Sequence, residues 1–329
     1  MALLTVSVAG VSYDRTRAIF EGRVGIEGCR TIAIPLSPEE TFHRALRYQE
    51  FDIAELSLAS SLVAASRGAA AYAAIPVFPS RSFRHSAIYV RADRDISRPE
   101  DLKGRIVGVP EYQITAAVWV RGILSDEYGV RPLDVRWRTG GLHEAGRKEK
   151  IAHDLPPGNE VTPIGADETL SDLLDAGEID ALISPVPPAC LETNPFVRRL
   201  FPDYRTVEAD YFRRTGIFPI MHVVGIRRTL LDAHPWLAVS VFKAYVRAKE
   251  LCYQDLEAMG ALRTTAPWPV ASLEETRALM GHDFWSYGLQ PNAGVIETVA
   301  RYCNEQGLTK RQVTAAELFV PSTLDLARI

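Results

Sequence analysis

Hydrophobic and polar positions follow two kinds of spacing along the first part of the chain. Four stretches have the alternation or β-branched composition of strands, at residues 3–9, 31–35, 52–56 and 73–78. Two stretches among them have the apolar spacing of helices, at residues 38–48 and 60–70. Ser37 before Pro38 is a typical helix start. This order predicts a parallel sheet flanked by helices.

A second series of the same kind follows residues 97–104. Its predicted strands lie at residues 105–109, 135–138 and 179–184. Its predicted helices lie at residues 115–128 and 169–176, and we expect Gly129 and Gly177 to end them. Between the two series, the apolar residues 85–90 are predicted to form a strand that crosses into a second lobe.

The remaining segments complete a two-lobed α/β architecture. Residues 139–163 are rich in Gly, Pro and charge without periodicity, which predicts a mobile surface excursion. Residues 221–226 resemble a return strand, and the helices expected after Pro235 would pack on the first lobe. The predicted domains are a discontinuous first lobe at residues 1–90 and 217–329 and a second lobe at residues 91–216.

Composition and charge narrow the class of protein. The 329 residues carry a formal net charge of −4, which argues against a nucleic-acid surface. The four cysteines are far apart and form no Cys-x-x-Cys pair, which predicts reduced thiols rather than a zinc site or a disulfide framework. The first residues lack a secretory pattern, and no apolar run reaches the roughly 18 residues of a membrane span. We therefore predict a cytoplasmic protein without a membrane partner.

Sequence motifs of common enzyme classes are missing. The chain has no Walker A motif, dinucleotide-binding glycine motif, nucleophile elbow or zincin motif. Glu40 and His43 form a Glu-x-x-His pair, but without a second copy a solvated helix face explains them better.

Two arginines and a histidine crowd the end of a predicted buried strand. Arg81, Arg84 and His85 follow residues 73–78, and ligands of open α/β sheets bind at the carboxyl ends of strands. Planar guanidinium groups suit carboxylates, so Arg81 and Arg84 together suit a dicarboxylate. The alternative is a structural ion pair, which we consider the weaker explanation because packing rarely requires positive charge at a strand end.

A second candidate site lies where a predicted strand leads into the helix at residues 115–128. Thr115 opens that helix, whose free N–H groups favour anions. Glu111 could act on a proton or a substrate hydroxyl, or simply cap the helix. Tyr112 could flank an aromatic ring or close a hydrophobic edge.

Other candidate residues lie at strand ends of the first lobe. Tyr13 and Arg15 follow the first strand and could reach a ligand or hold their own loop. Ser57 and Ser60 precede a helix, where capping is a sufficient explanation. His222 lies in an apolar strand, where a histidine is more often a hydrogen-bonded core residue than a proton donor.

Taken together, these segments resemble the 4,5-dihydroxyphthalate decarboxylases, a family with the type II periplasmic-binding-protein-like fold. The resemblance runs nearly end to end and is carried by residues 13–16, 38–40 with Phe42, 50–55, 75–85, 109–117 with Trp119, Arg121 and Gly122, and 177–185. The last of these segments adds Ser184 to the candidate substrate-binding residues. The resemblance implies two α/β lobes with a ligand cleft and the loss of carbon dioxide from a hydroxylated aromatic acid.

The implied reaction suggests roles for the candidate residues. Arg81 and Arg84 would hold the retained carboxylate, and Glu111 and His85 would supply the base and the acid, with His222 in reserve. No organic cofactor is required, although a divalent metal held by the catechol oxygens, His85 and Glu111 is an alternative. The helices after Pro235 suggest a homo-oligomer.

Two other classes of protein remain as alternatives to a decarboxylase. One is a solute-binding receptor for nitrate, sulfonate or taurine, which would require export. The other is a different small-acid enzyme on the same fold, such as the menaquinone-pathway enzymes that act on chorismate-derived acids. Fold alone does not distinguish these functions, whereas binding of a dihydroxyaromatic acid would.

Overall fold

A computed structural model describes residues 3–149 and 155–326 of the chain. The strands of this part are β1 Leu4–Gly10, β2 Cys29–Pro35, β3 Ile53–Ser57, β4 Tyr72–Arg81, β5 Ile88–Arg91, β6 Ile106–Val109, β7 Arg136–Thr139, β8 Val161–Pro163, β9 Ala181–Ile183, β10 Val197–Arg199 and β11 Ile220–Arg227.

The α-helices of the same part lie between and after these strands in the sequence. They are α1 Arg17–Phe20, α2 Pro38–Tyr48, α3 Leu58–Ser66, α4 Thr115–Tyr128, α5 Leu170–Ala176, α6 Tyr204–Thr215, α7 Arg228–Ala233, α8 Leu237–Glu257, α9 Pro269–Met280, α10 Ala293–Glu305 and α11 Ala315–Leu318. None of the helices in residues 3–149 and 155–326 has both the length and the apolar character that crossing a membrane requires.

The strands form two separate sheets. The first has the order β2-β1-β3-β11-β4, in which β1 pairs in parallel with β2 and β3 while β11 runs antiparallel to β3. The second has the order β10-β5-β9-β6-β7-β8 and is parallel from β9 to β8, with antiparallel pairs at β5. The predicted α/β class is therefore confirmed, with antiparallel strands added to each parallel core.

The predicted capping residues form the expected local structures. The Ser37 side chain accepts a hydrogen bond from the Glu40 backbone N–H at 3.3 Å, which satisfies a free donor of the first turn of α2. Gly129 and Gly177 follow α4 and α5 in the left-handed conformation, with φ values of 63° and 78°. Local side-chain chemistry thus sets the ends of these helices.

The chain divides into two compact units. The first unit contains residues 1–81, 222–296 and 314–329, and the second contains residues 82–221 and 297–313. The first division falls between residues 81 and 82, whereas the sequence pattern placed it between residues 90 and 91.

The difference arises at the predicted crossing strand. Residues 85–87 form a short 3-10 turn, and β5 then pairs with β9 and β10 inside the second sheet. The apolar character of residues 85–90 is therefore that of a central strand of the second unit and not that of a connection. Part of the predicted surface excursion also belongs to this sheet, since β8 pairs with β7, while residues 150–154 lie outside the described part.

The second unit contains a late segment of the chain that packs on α4. The Arg121 guanidinium donates to Gln306 Oε1 at 2.8 Å, and Gln306 Nε2 donates to the Val118 carbonyl at 2.8 Å. The rings of Trp119 and Tyr302 meet edge to face with centroids 5.6 Å apart. A β-carbon at position 122 would lie 2.1 Å from the Tyr302 ring, so glycine is required for this packing. Residues 119–122 therefore have a structural role.

Candidate active site

A buried carboxylate lies at the midpoint of β3, two residues before the carboxyl end of that strand. Glu55 is 2% exposed, and its Oε1 atom lies 2.6 Å from Nδ1 of His222 on the neighbouring strand β11. The antiparallel register places Cα of His222 opposite that of Ser57, so both side chains lie at this end of the sheet. This is the end at which open α/β sheets place ligand-binding groups.

Three donors hold the Glu55 carboxylate in place. The Val11 backbone N–H donates to Oε2 at 2.9 Å, the Tyr13 hydroxyl donates to Oε1 at 3.0 Å, and His222 Nδ1 completes the set. Gly10 allows this approach, because a β-carbon there would lie 3.0 Å from Glu55 Cβ and 3.1 Å from Oε2. The orientation of Glu55 is thus fixed by the backbone of β1 and the loop after it.

The contact with Glu55 determines how the His222 ring is presented. A carboxylate accepts hydrogen bonds, so the network assigns the Nδ1 proton to a bond with Glu55. The ring also packs edge to face on Phe42, with centroids 4.8 Å apart, and its side chain is 16% exposed. Within residues 3–149 and 155–326, His222 forms its hydrogen bond through Nδ1. Nε2 is therefore the nitrogen available for proton transfer.

Tyr13 and Arg15 extend this arrangement along the loop after β1. Burial, followed by the nearby Glu55 carboxylate, raises the pKa of Tyr13 above its ordinary value, so the phenol stays protonated. The Arg15 guanidinium lies 4.2 Å from the centroid of the Tyr13 ring and 3.9 Å from that of Trp285. Arg15 Nε also donates to the Pro79 carbonyl at 2.6 Å. Stacking and hydrogen bonding thus hold Tyr13 against Glu55.

The predicted serines of the first unit have capping or core positions. Ser57 is the N-cap of α3, and its hydroxyl accepts from the Ser60 N–H at 3.4 Å. Both residues are buried. The hydrogen bond between Ser57 and Ser60 is thus the helix cap that the sequence suggested.

The two predicted arginines have different surroundings. Arg81 is buried, and its Nη2 atom donates to the Ser286 carbonyl at 2.6 Å and to Asn292 Oδ1 at 2.5 Å. Arg84 is half-buried, and its Nε atom donates to Met221 Sδ at 3.2 Å. Arg81 belongs to the first unit and Arg84 to the second.

His85 lies in an apolar environment of the second unit. Its ring meets the rings of Phe201 and Tyr211 edge-on, with centroids 5.4 Å and 5.2 Å apart. Burial, assisted by the positive charge of Arg214, lowers the pKa of His85 to about 4. His85 is therefore neutral at pH 7, which weakens it as a candidate for the acid.

The low pKa of His85 predicts a pH-dependent stability. Below its ordinary pKa of about 6.5 the unfolded chain binds a proton that the folded chain does not bind until about pH 4. Stability should therefore rise with pH between these values. We expect His85 to account for a loss of about 2 kcal/mol between pH 7 and pH 5.

This expectation is checked by urea unfolding of the wild type and of His85→Gln at pH 7 and pH 5. The wild type should lose more stability than the variant over this interval, whereas His43→Gln, at an exposed histidine, should follow the wild type. Equal losses in wild type and His85→Gln would contradict a buried neutral His85.

The remaining predicted residues of the second unit are buried. Glu111 is 1% exposed and forms an ion pair with Arg147, whose Nη2 lies 2.6 Å from Oε1. Tyr112 is also buried, and its ring packs on Trp137 and under the Arg121 guanidinium. Thr115 is the first residue of α4, and the Ser184 hydroxyl accepts from the Val186 N–H at 3.2 Å.

The pair suggested for a divalent metal does not share a contact. In the described part of the chain, His85 and Glu111 form no hydrogen bond or ion pair with each other, because the Glu111 carboxylate contacts Arg147 while the His85 ring contacts Phe201 and Tyr211. Nor do three or more His, Cys, Asp or Glu side chains gather there in a metal-binding group. Metal participation stays a prediction.

Glu55 is the functional candidate that the sequence reasoning missed. It lies within a segment used for the family resemblance, but no role was assigned to it. A lone carboxylate inside the apolar stretch at residues 53–56 was an available signal, because a buried charge requires a partner. The lone histidine in another apolar strand, His222, was the corresponding signal for the partner of this carboxylate.

Comparisons with solved structures define the class of protein. The periplasmic aliphatic sulphonate binding protein of Escherichia coli matches with a TM-score of 0.55 at 13% identity, over 99% of this chain and 100% of that chain. The periplasmic sulfonate-binding protein of Methylobacillus flagellatus matches with a TM-score of 0.59 at 12% identity, over 98% and 92%. A family model described as the periplasmic substrate-binding protein of a phosphonate ABC transporter matches residues 12–152. The chain thus has the periplasmic-binding-protein-like fold.

Curated sequences identify the family within this class. A 4,5-dihydroxyphthalate decarboxylase of Comamonas testosteroni is 43% identical over 330 residues, covering 100% of both chains. Another of Pseudomonas putida is 45% identical over 214 residues, covering 65% of this chain and 83% of the relative. The chain belongs to the 4,5-dihydroxyphthalate decarboxylase family, and the resemblance found in the sequence is confirmed.

Proposed function

We propose that this protein is a carboxy-lyase that converts 4,5-dihydroxyphthalate to protocatechuate and carbon dioxide, with His222 as the proton donor to the ring. Membership of the decarboxylase family supports the reaction and the substrate. The 2.6 Å contact between His222 Nδ1 and Glu55 Oε1 supports the assignment of the proton donor.

The substrate itself supplies the electrons for the reaction. Each carboxylate of 4,5-dihydroxyphthalate has a hydroxyl group para to it, and loss of that hydroxyl proton pushes electron density onto the carbon that bears the carboxylate. A proton then adds to this carbon. The bond to the carboxylate breaks, its electron pair returns to the ring, carbon dioxide leaves and the phenol regains its proton. One proton is consumed for each carbon dioxide released, so the protein must deliver a proton to carbon.

The Glu55–His222 pair meets this requirement. Glu55 orients the imidazole through Nδ1, while Nε2 is the atom that carries the transferable proton. Tyr13 keeps its proton and donates a hydrogen bond to Glu55, so it helps to hold the carboxylate and does not serve as the base. Glu111 stays the candidate base for the substrate hydroxyl.

The reaction is tested by incubating the purified chain with 4,5-dihydroxyphthalate and measuring carbon dioxide and protocatechuate together. We expect equal amounts of the two products. Binding of the dicarboxylate without release of carbon dioxide would contradict the lyase and favour a solute-binding function. Repeating the assay after chelation, and again after divalent metal is restored, tests whether a metal takes part.

Gly10 offers a test of how closely Glu55 must be placed. A β-carbon at Gly10 would press on a carboxylate that three donors hold, so Gly10→Ala should displace Glu55 by a few tenths of an ångström. We expect kcat to fall about tenfold, because misplacing a catalytic group by 1 Å can cost about a hundredfold. Gly25→Ala, where no atom lies within 4 Å of the new carbon, should keep wild-type kcat. Unchanged kcat in Gly10→Ala would show that this placement is not critical.

We also propose that the enzyme acts in the cytoplasm. All four cysteines, Cys29, Cys190, Cys252 and Cys303, are free thiols, as is typical of proteins in a reducing compartment. Fractionation of cells that express the protein tests the location, and recovery in the periplasmic fraction would contradict it.

A further inference from the structure

The two arginines near the end of β4 differ in how their charges are satisfied. Arg81 donates to a backbone carbonyl and to an amide oxygen of its own unit. Arg84 has a thioether as its hydrogen-bonding contact in the described part of the chain, and a thioether is a weak acceptor. No carboxylate of that part lies within ion-pairing distance of Arg84.

Polar groups close to Arg84 in the sequence or in space have other partners. The Glu208 carboxylate accepts from the Ser86 backbone N–H at 3.1 Å. The Arg199 guanidinium donates to the Ser86 carbonyl and, at 3.0 Å, to the Tyr89 hydroxyl. These bonds leave Arg84 with its Nη1 and Nη2 donors directed at no acceptor among the residues that the structure describes.

A guanidinium in these surroundings is suited to bind an anion. Burial lowers the pKa of Arg84 to about 10, yet the group remains charged at neutral pH. The Glu208 carboxylate stabilises this charge through space but forms no ion pair with it among the described residues. A charge that is partly withdrawn from water without an ion-pair partner gains from a charge-assisted hydrogen bond. The planar fork of Nη1 and Nη2 matches the two oxygens of a carboxylate. Phe83, the preceding residue, stacks on Phe218 with ring centroids 4.7 Å apart and adds an apolar neighbour.

We infer that Arg84 binds the carboxylate that the substrate retains, and so selects an aromatic acid with a second carboxylate; this inference rests on the proposed decarboxylase function. A strong ion pair with the departing carboxylate would stabilise the ground state more than the transition state, in which that group becomes neutral carbon dioxide. An arginine therefore aids the reaction only at the carboxylate that keeps its charge.

The experiment compares the inhibition constants of protocatechuate and catechol for the wild type and Arg84→Gln. Protocatechuate keeps the carboxylate assigned to Arg84, whereas catechol has none. We expect the variant to raise the inhibition constant of protocatechuate and the KM for 4,5-dihydroxyphthalate about 10- to 100-fold, the loss expected for a hydrogen bond to a charged group. The constant for catechol should stay within twofold.

Three further measurements keep the result interpretable. Arg84→Lys keeps the positive charge but lacks the planar pair of Nη donors, so we expect an intermediate loss of affinity for protocatechuate. This variant tests the role of Arg84 if Arg84→Gln does not fold. Arg131→Gln removes an exposed guanidinium of the same unit, paired with Asp134, and should behave as the wild type. Protocatechuate binding equally to wild type and both Arg84 variants would overturn the inference. Failure of the wild type to release carbon dioxide would instead overturn the proposed function.

Discussion

Replacing His222 by glutamine should lower kcat for 4,5-dihydroxyphthalate by about 10²- to 10⁴-fold, the range typical of removing a general acid. The amide can still accept or donate a hydrogen bond, but it cannot carry a transferable proton as the imidazole does. KM should change little, because the effect falls on proton transfer and not on binding. Steady-state assays of carbon dioxide release measure both constants.

The control for this substitution is a second histidine of the same unit. His43 lies on the exposed side of α2, and His43→Gln should keep wild-type kcat. A wild-type kcat in His222→Gln would contradict the proposed role, provided that the variant melts at a temperature close to that of the wild type. If kcat fell to this extent in His85→Gln but not in His222→Gln, the general acid would be His85, as the sequence first suggested.

Replacing Glu55 by glutamine should lower kcat by about 10²- to 10⁴-fold, by analogy with the carboxylate of a Ser-His-Asp triad. The substitution keeps the shape of the side chain but removes the carboxylate that orients the imidazole through Nδ1. Glu55 is a positioning residue, since it acts through His222. Its loss should therefore appear in kcat with little change in KM.

A nearby half-buried carboxylate, Asp52, serves as a control that separates the positioning of His222 from general stability. Asp52 accepts from the Ser7 backbone N–H and hydroxyl, each at 2.9 Å, and pairs with Arg227 at 3.0 Å. Asp52→Asn should therefore lower the melting temperature while leaving kcat within a few-fold of wild type. If Asp52→Asn and Glu55→Gln reduced kcat equally, the effect of Glu55 would be general destabilisation.

Much of the fold was predictable because local signals and packing agree. The spacing of apolar residues placed α2 and α4 at their observed positions, and Ser37, Gly129 and Gly177 act at the helix ends as predicted. These features depend on neighbours in the sequence. Propensity, capping and amphipathic spacing therefore suffice to find them.

Features that depend on distant partners were not predictable in the same way. The apolar pattern of residues 85–90 is the same for a crossing strand and for a central strand, and only its pairing with β9 and β10 decides between them. Likewise, residues 297–313 join the second unit because Tyr302 and Gln306 contact α4. Helical spacing shows that a face is apolar but not which element will cover it.

The candidate site shows the same limit. Tyr13 and His222 were both considered, but each alone had a plausible structural explanation. The sequence separates Glu55 from His222 by 167 positions, so their contact arises only when β3 and β11 pair. A lone polar residue in an apolar strand identified the positions at which to look, and the pairing of strands supplied the partner.

The most direct test of the Glu55–His222 pair is the kcat of the double variant Glu55→Gln/His222→Gln beside those of the single variants. Residues that act as one unit show losses that do not multiply. We predict that the double variant retains a kcat within about threefold of that of His222→Gln. A double variant whose loss equals the product of the two single losses would contradict a shared role, and show that Glu55 and His222 act independently.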